Sequence, residues 1–231
     1  MATITSAITN GSVVYLVTSG NPNSGGGTDA NIGSIATDEN TGDLYTKIGS
    51  GLSDWILIPS PTTYGLYAQT ANSVPVAATI IEGTLIGSGL GTLSVPANSF
   101  KVGDSFVAKL IGHISCVGSA TIEIRVKSGS IVLADTGVVA LDTTTSKHWM
   151  VDVNFTIRSL GVAGVGSIAS GGLFSYIKNS GLNFEGQNFS IVNNSTFDTT
   201  ILNTLNITAQ WNTDNAGNTI YSELFILNKI Y

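Results

Sequence analysis

The sequence predicts an all-β protein: a small N-terminal β-meander followed by a jelly-roll β-sandwich. Three observations carry that reading. Apolar and polar residues alternate at a period of two; Trp149, Val151, Val153, Phe155 and Ile157 share one face of residues 149–158, and most of the other face is polar. Turn chemistry punctuates the chain, as in Lys127-Ser128-Gly129-Ser130, Asp135-Thr136-Gly137 and Asp214-Asn215-Ala216-Gly217-Asn218. No segment of ten or more residues carries a helical period.

The first expected strand, residues 13–18 (VVYLVT), is β-branched and aromatic. Residues 20–31, GNPNSGGGTDAN, hold no large apolar side chain and read as a loop or linker. The stretch GSIATDENTGDLYTKIGSGLSDW, residues 33–55, then sets short apolar runs between turns. Asn40-Thr41-Gly42 supplies the left-handed backbone of a hairpin between a strand ending at Thr37 and one beginning at Asp43. Strands at 44–48 and 55–58 flank a second turn, Gly49-Ser50-Gly51, and Ile35, Tyr45 and Trp55 are the expected anchors of this meander. So small a fold draws its stability from docking onto something else. Residues 38–43, DENTGD, superficially match an oxygen-ligand calcium loop, but the downstream bidentate Glu and flanking helices are missing; a turn is the preferred reading.

Pro59-Ser60-Pro61-Thr62-Thr63 marks the boundary between an N-terminal segment, 1–60, and a C-terminal domain, 64–231, of the size of one sandwich. Residues 62–71 have room for one short helical turn. Strands are then expected at 79–86, 105–111, 121–127, 131–134, 149–158, 174–178, 189–192, 205–211 and 220–229. TIEIRVK (121–127) and LNITAQW (205–211) alternate cleanly. In the last strand Ile220, Leu224, Ile226 and Ile230 face one way, and Tyr221, Phe225, Leu227 and Tyr231 the other. A two-layer sandwich covers one face of each sheet. The second apolar face therefore calls for another copy of the chain, with Tyr221, Phe225, Leu227 and Tyr231 in the subunit interface.

Composition narrows the function. Charged residues make up 10% of the 231 and the net charge is −6, with Arg125 and Arg158 the only arginines. The seven lysines are scattered, so no basic patch neutralises phosphates and no nucleic-acid partner is expected. No apolar run is long enough to span a membrane, and MATITSAITNGS lacks the marks of a secretory leader. Cys116, the single cysteine, lies in the apolar run IGHISCVG and reads as a core residue. The two histidines are His113, in an apolar strand, and His148, at the expected start of another. His113 and Cys116 are three apart on a strand and point to opposite faces, a poor dyad. Glu82, Glu123, Glu185 and Glu223 are carboxylates without a local motif. Neither catalysis nor a cofactor is expected.

The pattern Gly33-Ser34-Ile35-Ala36-Thr37-Asp38, Thr41-Gly42-Asp43-Leu44-Tyr45, Lys47, Gly49-Ser50-Gly51 and Asp54-Trp55 resembles a short motif of tailed-bacteriophage virion appendages, such as head fibres and tail fibres. The C-terminal region more loosely resembles the jelly-roll heads of trimeric phage fibres and tumour-necrosis-factor-like trimers. The resemblance implies a structural protein of the virion surface, made in the host cytoplasm. It implies a homotrimer held to the major capsid protein or another virion protein by residues 1–60. Loops 179–188 and 212–218 would be free to contact host glycans. A tail fibre or receptor-binding protein, and a cell-surface carbohydrate-binding module, are the alternatives.

Overall fold

Alternating sequence becomes sheet in two units, Met1–Thr63 and Tyr64–Tyr231. The computed structural model describes residues 3–58, 65–178 and 183–231. The proline-rich boundary at 59–63 and the expected glycan-contact residues 179–182 lie outside the described residues.

The N-terminal unit is one five-stranded sheet: β1 (Ile4–Asn10), β2 (Val13–Thr18), β3 (Ile35–Asp38), β4 (Leu44–Lys47) and β5 (Trp55–Ile58), side by side in chain order. β3 to β5 form the expected meander. β2 and β3 run parallel, so residues 19–34 cross over between them, and β1 adds a hairpin strand. Asn10-Gly11, with Gly11 at φ +63°, is the turn signal for that hairpin. At Asn40-Thr41-Gly42 the chain makes the expected turn: Gly42 has φ +77°, and its N–H donates to the Asp38 carbonyl at 2.7 Å. Leu16, Ala36, Tyr45 and Trp55 are the buried apolar core. Ile35 is corrected: it lies in the cross-strand row Tyr15–Ile35–Thr46 on the opposite face, and Ala36 takes the core position.

In the C-terminal unit the short strands come first: β6 (Tyr67–Gln69), β7 (Val76–Ala77), β8 (Gly83–Thr84), β9 (Gly89–Gly91) and β10 (Ser94–Val95). The rest follow, all long but for β13 and β14: β11 (Ser105–Cys116), β12 (Thr121–Ser128), β13 (Ile131–Asp135), β14 (Val139–Ala140), β15 (Thr144–Ser159), β16 (Ser167–Ile177), β17 (Phe184–Asn193), β18 (Asn203–Trp211) and β19 (Thr219–Lys229). One sheet runs β17-β16-β15-β11-β19-β6-β9, with β7 also on β19; the other runs β10-β18-β12-β13, with β8 on β18 and β14 on β12. The chain passes between the sheets from β11 to β12, β14 to β15, β17 to β18 and β18 to β19, while β12-β13 and β15-β16-β17 pair within one sheet, an arrangement consistent with a jelly-roll sandwich. The inner faces share one core, to which the larger sheet gives Trp149, Phe174 and Phe225 and the smaller gives Ile124, Ile207 and Trp211. Both buried indoles are satisfied: Trp149 Nε1 donates to the carbonyls of His113 and Tyr221, and Trp211 Nε1 to that of Val76.

Two expected elements differ. Within 79–86 only Gly83–Thr84 pairs, because Thr79 Oγ1 accepts the Ile81 N–H at 3.0 Å and turns the chain locally. Within 62–71 the described residues hold a strand, Tyr67–Gln69.

The last strand carries the main correction. Ile111 pairs with Leu224 but Gly112 pairs with Ser222, so Glu223 is an extra residue and the side-chain alternation slips by one. Gly112 permits this close approach, since a Cβ there would sit 2.0 Å from the Tyr221 carbonyl oxygen. Ile220 and Ser222 point inward before the bulge, Phe225 and Leu227 after it. Phe225 (0% exposed) and Leu227 therefore belong to the chain's own core rather than to a subunit interface. Tyr221 is half-buried on the outer face and Tyr231 is exposed.

Candidate functional site

The N-terminal sheet puts its best-ordered chemistry on one side and leaves the other open. On the core side Lys47 is buried, its ammonium bonded to the Gly51 carbonyl and 5.2 Å from the centre of the Trp55 ring. Trp55 Nε1 donates to the Thr28 carbonyl at 2.9 Å, and Asn23 brackets the Trp55 backbone with two further hydrogen bonds. Asp54 closes the Gly49–Gly51 turn by accepting the Gly51 N–H at 2.7 Å. Burial, then the nearby Asp43 and Asp38 carboxylates, pushes the Tyr45 phenol up. These contacts explain why Tyr45, Lys47, the glycines, Asp54 and Trp55 recur within so short a stretch: each fixes the turn or the small core. On the open side, two rows run across the sheet, Ile8–Tyr15–Ile35–Thr46–Ile56 and Ser6–Val17–Thr37–Leu44–Ile58. Ile8, Tyr15, Leu44, Ile56 and Ile58 are all exposed.

The outer face of the larger sheet is a second uncovered surface. Leu224, Ile111 and Met150 form an exposed apolar row across β19, β11 and β15. Beside it Lys109 and Asp152 pair at 3.2 Å. The next row, Tyr221–His113–His148, brings the two histidine rings to 4.3 Å between centres. His113 Nδ1 lies 3.1 Å from Glu223 Oε2, at an angle that makes no hydrogen bond. Sequence reading placed His148 at a strand end; β15 begins at Thr144 and puts it mid-strand. Cys116 is on the core face, where burial pushes its thiol up and Sγ donates to the Asp142 carbonyl.

Two further groups of carboxylates pair with neighbouring cations. Glu82 contacts Arg125 at 3.5 Å and Lys127 at 3.0 Å, and Glu123 binds the other end of Arg125. Burial pushes the Glu82 carboxyl up, but the Thr208 hydroxyl, Lys127 and Arg125 outweigh it and hold the group below the usual range. Lys178 bridges Asp142 and Glu185, each at 2.9 Å, which raises the lysine, and Tyr176 donates to Glu185. Burial first, then Glu185 and Asp142, pushes the Tyr176 phenol up to about 12. Inside the sandwich a cavity of about 80 Å³ is lined by Phe100, Phe106, Phe155, Phe197 and other apolar groups; the Ser128 and Asn203 side chains at its wall bond to each other at 2.8 Å. Among the described residues no group of three His, Cys, Asp or Glu side chains could hold a metal ion.

Of the residues singled out from sequence, Tyr45 and Trp55 meet in the small core, whereas Tyr221, Phe225, Leu227 and Tyr231 do not share a surface. Sequence reading missed Leu224, Ile111 and Met150 as one patch: Ile111 and Met150 have outward parity on their strands, but Leu224 shares the parity of the inward Ile220 and turns outward only through the bulge. No protein-family model matches the chain, and no curated protein or solved structure matches it significantly.

Proposed function

We propose that the chain is a non-enzymatic structural protein of a bacteriophage virion, a head fibre or capsid decoration. The N-terminal unit attaches it to the particle, and the C-terminal jelly roll assembles with copies of itself and faces outward, towards host glycans. The observation that carries the attachment role is the open side of the N-terminal sheet. A unit with four buried apolar side chains is too small to be stable alone, and it presents Ile8, Tyr15, Leu44, Ile56 and Ile58 to a partner. The motif between Gly33 and Trp55 supports the virion setting. Self-association is assigned to the Leu224–Ile111–Met150 row, which replaces Phe225 and Leu227 as the partner-facing side of the last strands.

The test is surface labelling of intact particles of the phage that encodes the chain, with antibody raised against the full chain. Label on the capsid surface is expected. Label confined to the soluble fraction of the lysate overturns the reading. In reconstitution, a chain carrying L44D and I56D is expected to lose particle binding while its jelly roll stays folded.

A further inference from the structure

On the outer side of the smaller sheet a groove of about 270 Å³ opens over the cross-strand neighbours Glu123 and Gln210. Thr121 and Asn212 continue its floor, and Ile80 and Val138 form its walls. Its polar groups are pre-positioned. Arg125 Nη1 donates to Gln210 Oε1 at 2.8 Å, while Gln210 Nε2 donates to the Ile80 carbonyl at 2.9 Å. Arg125 also holds Glu123 Oε2, and Asn212 Oδ1 accepts the Thr121 N–H at 2.8 Å. Glu123 Oε1, Asn212 Nδ2 and the Thr121 hydroxyl are left without partners among the described residues. Together they offer an acceptor, a donor and a group that does both.

Charge and shape select the ligand class. The carboxylates of Glu82 and Glu123 are matched by Arg125 and Lys127 within the same cluster, so the groove has no net charge to attract an ion. Ile80 and Val138 are 54% and 72% exposed, which supplies apolar contact beside the polar floor. A molecule with several hydroxyls on one edge, C–H groups on its faces and no charge matches both features. We infer that the groove binds one unit of a neutral saccharide. Its volume falls just below the roughly 300–1,000 Å³ of sites for drug-sized ligands, which suits a single sugar ring. This deepens the glycan contact proposed above and rests on it only for the source of the sugar; it moves the contact from the loops to the sheet.

The experiment is methyl-resolved NMR of the full chain titrated with methyl glucoside, methyl galactoside and N-acetylglucosamine, with sialic acid as the anionic probe. At least one neutral sugar is expected to shift the Ile80 and Val138 methyl signals with a dissociation constant on the order of 1 mM. E123A is expected to weaken it at least about fivefold. Arg125 keeps Glu82 and Gln210 in that variant, so the fold is retained. V138D, at an exposed position, is the second variant and is expected to do the same. Shifts at other methyls only, a preference for sialic acid, or no change with E123A and V138D each overturn the groove. Shifts elsewhere would still leave a glycan-facing role standing; no shift with any sugar removes both glycan statements and leaves particle attachment to be judged by surface labelling.

Discussion

Trp55 shows how much one residue carries in a small sheet. Its ring closes the core of the N-terminal unit, covers the Lys47 ammonium and anchors the crossover through Thr28 and Asn23. Trp55→Ala is expected to cost about 3–5 kcal/mol, enough to open the whole unit. Hydrogen exchange should show it: the amides of Leu16, Ala36 and Tyr45 lose protection while those of β11 and β15 keep theirs. At Glu82 the chemistry is electrostatic. Its folded carboxyl is lowered, since hydrogen bonds from Thr208 and Lys127 and the nearby cations outweigh burial. The stability this gives is present above the unfolded carboxyl value of about 4.3, and is lost as pH falls through the folded one. Between pH 6 and pH 3 the urea midpoint should fall further for the natural chain than for E82Q. Equal falls would show that Glu82 contributes nothing to acid sensitivity.

Among the elements, β19 decides which face of the molecule is available. Its one-residue bulge sends Phe225 and Leu227 into the core and leaves Leu224 and Ile226 on the outer face. The two sides should respond differently to substitution. Phe225→Ala is expected to destabilise the jelly roll by about 3–5 kcal/mol. Leu224→Asp should change stability by no more than about 0.5 kcal/mol while reducing self-association. Urea unfolding and light scattering on the same samples separate the effects; a Leu224→Asp chain that unfolds early, or that keeps an oligomeric mass, contradicts the assignment of that face.

The whole molecule joins two units of unequal self-sufficiency. The jelly roll has a continuous core drawn from both sheets, whereas the N-terminal unit buries Leu16, Ala36, Tyr45 and Trp55 and little else apolar. A chain shortened to residues 64–231 should retain a cooperative thermal transition, and residues 1–63 alone should show none. Light scattering of the full and shortened chains then locates assembly. Equal oligomer numbers place it in the jelly roll; a shortened chain that is a monomer places it in the N-terminal unit and removes the role given to Leu224, Ile111 and Met150.

Local pattern was enough for part of this. The period of two identified β12, β15 and β18 and put Ile122, Ile124, Trp149, Val151, Ile207 and Trp211 on the inside, where they lie. Asn40-Thr41-Gly42 announced its turn because left-handed backbone favours particular residue types. What sequence could not settle depends on which strands become neighbours. The phase of β19 changes at a bulge created by its pairing with β11 around Gly112. Ala36 takes the core position expected of Ile35 because the register sets it beside Leu16 and Tyr45. His113 and His148 touch only because β11 and β15 run antiparallel in that register. The groove takes residues from four separate stretches, so no motif could reveal it. Alternation is a property of adjacent residues, and the chain carries it in one dimension. Register, bulges and surface sites come from long-range pairing, which only the tertiary structure decides.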